Sequence, residues 1–310
     1  MAYTLGDIRE EIARAYGRYA KFTATGGSTT TAISTSGLFE PDDYWNQAIL
    51  YVRTDAGGAS AAPEGEYRFI TDYAQSSQTA TVTLAFTASI VSGDICEIYG
   101  GAVPPGELDN FIERAVKAAS AYWYKPTWDD STLDFTASTY SYTLPTDVDH
   151  LCGVYFRESS SYRWKRFPFW KVEGLPGAYV LKTEGDPGAG DMALRYEATL
   201  ALTGSGDAQV LNLLTASGTN KNEQHCTEWL VHWVLSQLFF KNSNEGDDNH
   251  RNYCWNMGRL HSEDADKIAR LFAMPPLTGQ VQLPGWQWHD TYLRESAYAS
   301  LARGGTAPGT

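Results

Sequence analysis

The sequence predicts an α+β protein with a helical-bundle core of about four helices, two inserted antiparallel β modules and an extended C-terminal arm. Three observations predict it. Apolar residues recur at helical spacing in separate stretches; two long tracts between them alternate β-branched and aromatic residues between Gly- and Pro-bearing turns; and the C-terminal segment carries aromatics without a period. The expected boundaries are 1–21, 104–126 and 221–274 for the helical core, 22–103 and 127–220 for the two β insertions, and 275–310 for the arm.

Residues 5 to about 20 place Leu5, Ile8, Ile12, Ala15, Tyr16 and Tyr19 on one helix face, with Arg9, Glu10, Arg14 and Arg18 on the other. So short a helix cannot satisfy its stripe alone and is expected to pack on later helices. The tract that follows reads as a small barrel or sandwich, because FTATGG, ILYVRT, EYRFITDY, TATVTLAF and DICEIY are short runs of β-formers separated by turns. After Pro104 and Pro105 the helical period returns from Glu107 to Tyr124 and stops near Pro126. LDFTAST, YSYTLP, HLCGVYFRE, YRWKRFPFW, AYVLKTE and DMALRYEATL then read as strands broken by the GLPGA and GDPGAGD turns. Two more helices, Glu223 to about Lys241 and about Asp248 to Phe272, are joined by the polar KNSNEGDD turn into an expected antiparallel pair. Beyond Met274 the chain has the composition of a segment that wants a partner.

Charge sets the next constraint. A formal net charge of -13 argues against gripping nucleic acid, which needs clustered Lys and Arg. The longest basic cluster, Arg163, Lys165 and Arg166 in RWKRFPFWK, superficially resembles a single-strand stacking groove, but an exposed strand or turn whose cations meet acidic groups of a neighbouring subunit is favoured. The aromatic fraction of 13% is high, and Tyr and Trp are enriched where protein surfaces meet, so an assembling subunit explains it at least as well as an unusually aromatic core. Cys96, Cys152, Cys226 and Cys254 are too widely spaced to signal a disulfide framework or a zinc ribbon, so reduced, buried thiols are expected. The N-terminus lacks the apolar core of a signal peptide and no run is long enough to span a bilayer, which predicts a protein made and kept soluble in a cytoplasm.

Few residues suggest chemistry. His250 and Cys254 lie at i and i+4, with His225 and Cys226 on the preceding helix; adjacent residues cannot easily point the same way, so packing is favoured over a metal and no cofactor is expected. The pairs Asp42/Asp43, Asp129/Asp130 and Asp247/Asp248 fall in turn contexts, where caps and loops are commoner than catalysis. Trp45 and Trp128 beside two of them admit sugar stacking, against the commoner aromatic that closes over a turn. There is no GxGxxG, Walker loop, GxSxG elbow or HExxH, and no enzyme is expected.

Two tracts carry a resemblance. Thr23 to Tyr99, with TATGGSTTTAIS, EPDDYWNQAILYVRTD, APEGEYRFITDY and SGDICEIY, resembles a β module of tailed-phage virion proteins. Glu107 to Trp170, with ELDNFIERAVKAAS, TLDFTASTYSYTLPTDVDHLCGVYFRE and RWKRFPFWKV, resembles the head-to-tail adaptor (connector or neck) proteins of tailed bacteriophages. The resemblance implies helical bundles with insertions, assembled as a dodecameric ring between the portal protein and a downstream neck or tail protein, in a virion put together in the host cytoplasm. It further implies a channel through which genome DNA passes without sequence-specific binding, no membrane partner, and a portal-docking arm from Pro275 onward anchored by Trp286, Trp288, Tyr292 and Tyr298. The β insertion at 22–100 is larger than compact adaptors have, which leaves room for another virion component such as a tail-tube, tail-terminator or decoration subunit.

Overall fold

The computed structural model describes residues 3–58, 61–100, 103–175, 177–186, 188–213 and 221–274. In chain order the elements are α1 (Leu5–Tyr16), β1 (Tyr19–Thr23), β2 (Gly26–Gly27), β3 (Thr31–Ile33), β4 (Ile49–Thr54), β5 (Tyr67–Ala74), β6 (Thr79–Val82), β7 (Ile95–Tyr99) and α2 (Pro105–Ala119). They continue with β8 (Lys125–Asp129), β9 (Asp134–Phe135), β10 (Ser141–Thr143), β11 (Val148–Arg157), β12 (Lys165–Phe167), β13 (Trp170–Glu173), β14 (Val180–Thr183) and β15 (Gly190–Ala198). Last come β16 (Leu202–Thr203), a 3-10 turn at Gly206–Ala208, β17 (Val210–Leu211), α3 (Lys221–Asn242) and α4 (Asp248–Phe272).

The expected helical-bundle core with inserted β modules does not form. Among the described residues 17 strands build four antiparallel sheets, and the four α-helices accompany a fold that is mostly sheet. The reason lies in what each helix buries. In α3 the consecutive residues Trp229, Leu230 and Val231 are all buried, as are Val234, Leu235, Leu238 and Phe239, so apolar contact extends around the helix rather than along the one stripe that a bundle uses. In α1 the buried face includes Arg9, which turns the helix toward strands and not only toward other helices.

The chain divides into two compact units. The first comprises the described residues of Met1–Val116, Leu202–Leu211 and Thr227–Ala265. Its seven-stranded sheet runs β1-β7-β4-β5-β6-β3-β2, with β7 paired to β1 from Tyr19↔Tyr99 to Thr23↔Ile95 and to β4 from Ile49↔Tyr99. Alternation in β4 to β7 sends Leu50, Val52, Ile70, Tyr73, Ala80, Val82, Cys96 and Ile98 into one cluster, closed by Phe22, Leu38, Trp45, Phe86 and Ile90. A capping box opens α1, in which Thr4 and Asp7 exchange side-chain to backbone hydrogen bonds. The β16–β17 hairpin belongs to this unit, and Leu5 N–H donates to Gln209 O at 2.7 Å beside it.

The second unit comprises Lys117–Ala201, the described part of Asn212–Cys226 and the described residues from Asp266 onward. One sheet runs β12-β11-β15-β8, with β9 also on β15, and a three-stranded sheet runs β10-β14-β13. Met192, Leu194, Tyr196 and Ala198 of β15 face inward with Val148, Leu151 and Val154 of β11, and Phe135, Tyr142, Trp170 and Leu181 complete the core. The Asp147 carboxylate accepts a hydrogen bond from Tyr196 Oη at 3.3 Å, and burial followed by Asp147 pushes that phenol above its ordinary range. Among the described residues no helix is long and apolar enough to cross a membrane.

Candidate interaction face

The opposite side of the β12-β11-β15-β8 sheet carries a set of residues that neighbouring strands bring into rows. Register places Gly153 of β11, Arg195 of β15 and Trp128 of β8 in one row. The adjacent row is Arg166 of β12, Tyr155 of β11 and Ala193 of β15, and the next pairs Arg157 with Asp191. Gly153 and Ala193 are small, and the space they leave is taken by rings. The Tyr155 ring leans back over Gly153, where a Cβ would sit 3.0 Å from Cε2, and its centroid lies 4.9 Å from that of Trp128. Trp164 stands edge-on to Trp128 at 5.9 Å, and the Arg157 guanidinium lies over Trp164 at 4.2 Å while its Nε donates to Asp191 Oδ2 at 2.6 Å. Trp128 is 45% exposed, and Arg166 and Arg195 are exposed. Three arginines therefore interleave with three aromatic rings, with the half-buried Asp191 paired to Arg157 in these rows. Such a surface gives flat apolar area together with planar hydrogen-bond donors, the pairing enriched at the energetic centres of protein contacts.

The basic cluster read from the sequence enters this face only in part. Strand alternation puts Trp164 and Arg166 on the ring-bearing side and Lys165 on the side of Phe167, which packs toward the core. Arg163 is exposed two residues before β12. Arg157 and Arg195, which the sequence reading passed over, arrive from other strands; their signal was a cation alternating with apolar residues in GVYFRE and ALRYEA. Trp286, Trp288, Tyr292 and Tyr298 lie outside the described residues.

A second constellation, in the first unit, is buried. The Arg9 side chain is fully enclosed; its Nε donates to Tyr99 Oη at 3.0 Å, its Nη1 to Asp109 Oδ1 at 3.0 Å, and its Nη2 pairs with Asp207 and lies 3.8 Å from Glu97 Oε2. Tyr99 Oη in turn donates to Glu97 Oε2. Arg53 of β4 reaches Glu97 at 2.9 Å, Glu10 at 3.3 Å and Asp7 at 3.3 Å. Burial lowers the affinity of Arg9 for its proton, but Tyr99, Asp109 and Asp207 hold it well above the ordinary arginine value, so the guanidinium stays charged. Burial raises the Asp109 carboxyl, Arg9 offsetting part of that. The Tyr51 phenol, under the Arg9 guanidinium at 4.8 Å, is pushed up to about 12 by burial ahead of neighbouring charges. With every acid matched to a cation or phenol, this arrangement is a clamp joining α1, β4, β7, α2 and the 3-10 turn.

The third is a histidine pair. His232 of α3 and His261 of α4 meet Nδ1 to Nδ1 at 3.0 Å, so one ring must accept the proton that the other donates. Burial, then the charge of His232, lowers the His261 pKa below its ordinary 6.5, against the pull of Asp264. Glu11 of α1 and Glu228 of α3 face the same place, and burial followed by Glu228 raises the Glu11 carboxyl, with His232 opposing. For a base whose folded pKa is depressed, the unfolded chain binds more protons as acidity grows. Stability is whole above 6.5 and falls as the pH drops through 6.5 toward the lower folded value. Unfolding of the α3–α4 hairpin should therefore become easier between neutral and mildly acidic pH, and His261→Phe should flatten that slope. Urea titrations at several pH values check it, and an unchanged slope in the variant would show that the pair does not carry the effect.

The remaining candidates have structural work. Asp42 accepts Gln75 N–H at 2.7 Å, Asp43 accepts Asn46 Nδ2 at 2.7 Å, Asp129 accepts Ser131 and Thr132 N–H at 3.1 Å, and Asp247 caps α4 through His250 N–H at 2.8 Å. His225 stacks on Phe272 with centroids 3.7 Å apart, and Cys254 Sγ lies 3.5 Å from His250 Nε2. None of the four cysteines forms a disulfide and all are buried, and among the described residues no group of three or more His, Cys, Asp or Glu is placed to hold a metal ion.

No protein-family model, curated protein or solved structure matches the chain.

Proposed function

We propose that the chain is a non-enzymatic structural subunit of a tailed-phage particle, a head-to-tail adaptor that forms a ring between the portal protein and the next neck or tail protein. The observation that carries the reading is the outer face of the β12-β11-β15-β8 sheet, where Trp128, Tyr155 and Trp164 interleave with Arg157, Arg166 and Arg195. A chain of net charge -13 that presents arginines and rings together on one sheet face has a surface fitted to meet protein, and a ring of such chains would repel rather than bind the DNA passing through it. The resemblance of the tracts at 23–99 and 107–170 supplies the position in the particle, and the segment from Pro275 is assigned to docking on the portal.

The predominance of antiparallel sheet favours one second reading, a tail-tube, tail-terminator or decoration subunit, in which strands rather than helices make the contacts. Negative-stain imaging of the purified chain, alone and mixed with the portal protein of the same particle, separates the two. Rings seated on the portal are expected. Rings or tubes that ignore the portal would move the assignment to the tail, and a chain that forms neither would end the virion reading.

A further inference from the structure

We infer that the arginine–aromatic face of one copy docks head-to-tail on the acidic rim of the first unit of a second copy. The inference rests on the ring reading and names the partner of that face.

The choice of occupant follows from charge and from what the same chain offers elsewhere. At one end of the seven-stranded sheet the segment 39–43 lies against residues 72–75, tied by Asp43 N–H to Tyr73 O at 2.9 Å, Gln75 N–H to Asp42 Oδ1 at 2.7 Å and Gln75 Nε2 to Phe39 O at 3.4 Å. These adjoining segments carry Asp42, Asp43 and Asp72, all exposed, half-buried Glu40, and Phe39, which is 63% exposed. Arg18 lies over the Tyr44 ring at 4.9 Å, with its Nη1 donating to Tyr44 O. Burial, then Glu40 and Asp42, raises the Tyr73 phenol.

The two surfaces are complementary in kind. One offers guanidinium groups among rings; the other offers carboxylates and an exposed ring. Arginine on carboxylate is a bidentate pairing, and an aromatic against an aromatic adds apolar area at the centre of the contact. Because the face and the rim are different surfaces, each copy uses one and leaves the other free, and a contact of that type closes into a ring when its rotation divides the circle. A shared surface would instead stop at a dimer.

Charge exchange in the full-length chain tests the contact. Wild type, Arg166→Glu/Arg195→Glu, Asp42→Lys/Asp72→Lys and the quadruple variant are compared by mass photometry over a concentration series, with circular dichroism to confirm folding. Wild type is expected to assemble at low salt and to weaken in about 0.5 M salt, where charges are screened beyond a few ångströms. Each double variant alone should need at least about tenfold more protein to assemble. A mixture of the two double variants should assemble in equal proportions, because each supplies the surface that the other has lost, and the quadruple variant should assemble by itself. Rings that persist in Arg166→Glu/Arg195→Glu would overturn the contact and leave the ring reading standing. Failure of the mixture, when both double variants are folded monomers, would overturn the rim as partner. A wild-type chain that stays monomeric throughout would end both. Tight binding of wild type to a labelled oligo(dT), lost in Arg166→Glu/Arg195→Glu, would assign the face to single-stranded nucleic acid and overturn the contact as well.

Discussion

Arg9→Ala should cost the first unit about 3–5 kcal/mol, the range found when one partner of a buried ion pair is removed. The guanidinium is fully enclosed and meets Tyr99, Asp109, Asp207 and Glu97, the last of these also fully buried. Removing it leaves carboxylates from α2, β7 and the 3-10 turn facing one another without their shared cation. Arg53 limits the damage, since it already touches Glu97 at 2.9 Å and Asp207 at 3.5 Å. The consequence is strong non-additivity: Arg53→Ala alone should cost less, because Arg9 still holds the acids, and the double variant should lose more than the two single losses together. Urea unfolding, with hydrogen exchange at the β4 and β7 amides to identify the transition of this unit, measures all three. A loss under about 1 kcal/mol for Arg9→Ala would show that water or side-chain movement relieves the acids, and the clamp would then carry no stability.

Arg9 also shows where sequence reasoning stopped. It lies between Leu5 and Ala13 at spacings of four, inside the buried arc of α1, yet its charge placed it on the outer face in the reading by residue type. Periodicity reports which arc is buried and says nothing of what covers it. For α1 the cover includes the inner strand β7 bearing Tyr99 and Glu97, and acids from distant segments neutralise the cation. The same gap explains the fold class. ILYVRT is β4 and the stretch from Asp248 to Phe272 is α4, so local elements were legible from turns and period. That the helices do not assemble as a bundle core was not legible, because α3 buries residues on several sides and a one-sided stripe was assumed. The interaction face follows the same logic. RWKRFPFWK reads as one cluster along the chain, but strand alternation splits it, and Arg157, Arg195 and Trp128 complete the face only through antiparallel register.

Trp45→Ala should be comparably costly, about 3–5 kcal/mol, through lost burial and the cavity left behind. The ring is 1% exposed, belongs to the cluster with Leu38, Ala48 and Tyr73, meets Tyr44 edge-on at 4.8 Å and donates its Nε1–H to Glu40 Oε2 at 3.0 Å. A ring so enclosed cannot stack on a sugar, which removes the physical basis for reading Trp45 and Asp42/Asp43 as a carbohydrate subsite. Trp45→Phe keeps most of the apolar volume and leaves Glu40 Oε2 still bonded by Phe39 N–H at 3.0 Å, so its loss should be nearer 1 kcal/mol, roughly one hydrogen bond. Hydrogen exchange at Gln47 and Ile70, whose amides bond across to Ile70 O and Ala48 O beside the ring, reports the local opening directly. Equal stability of the alanine and phenylalanine variants would mean that the indole is not packed as described. If the alanine variant is the weaker, the segment from Phe39 to Asp43 is held by the same ring that anchors the core, and the carboxylates of the rim are presented on a rigid support.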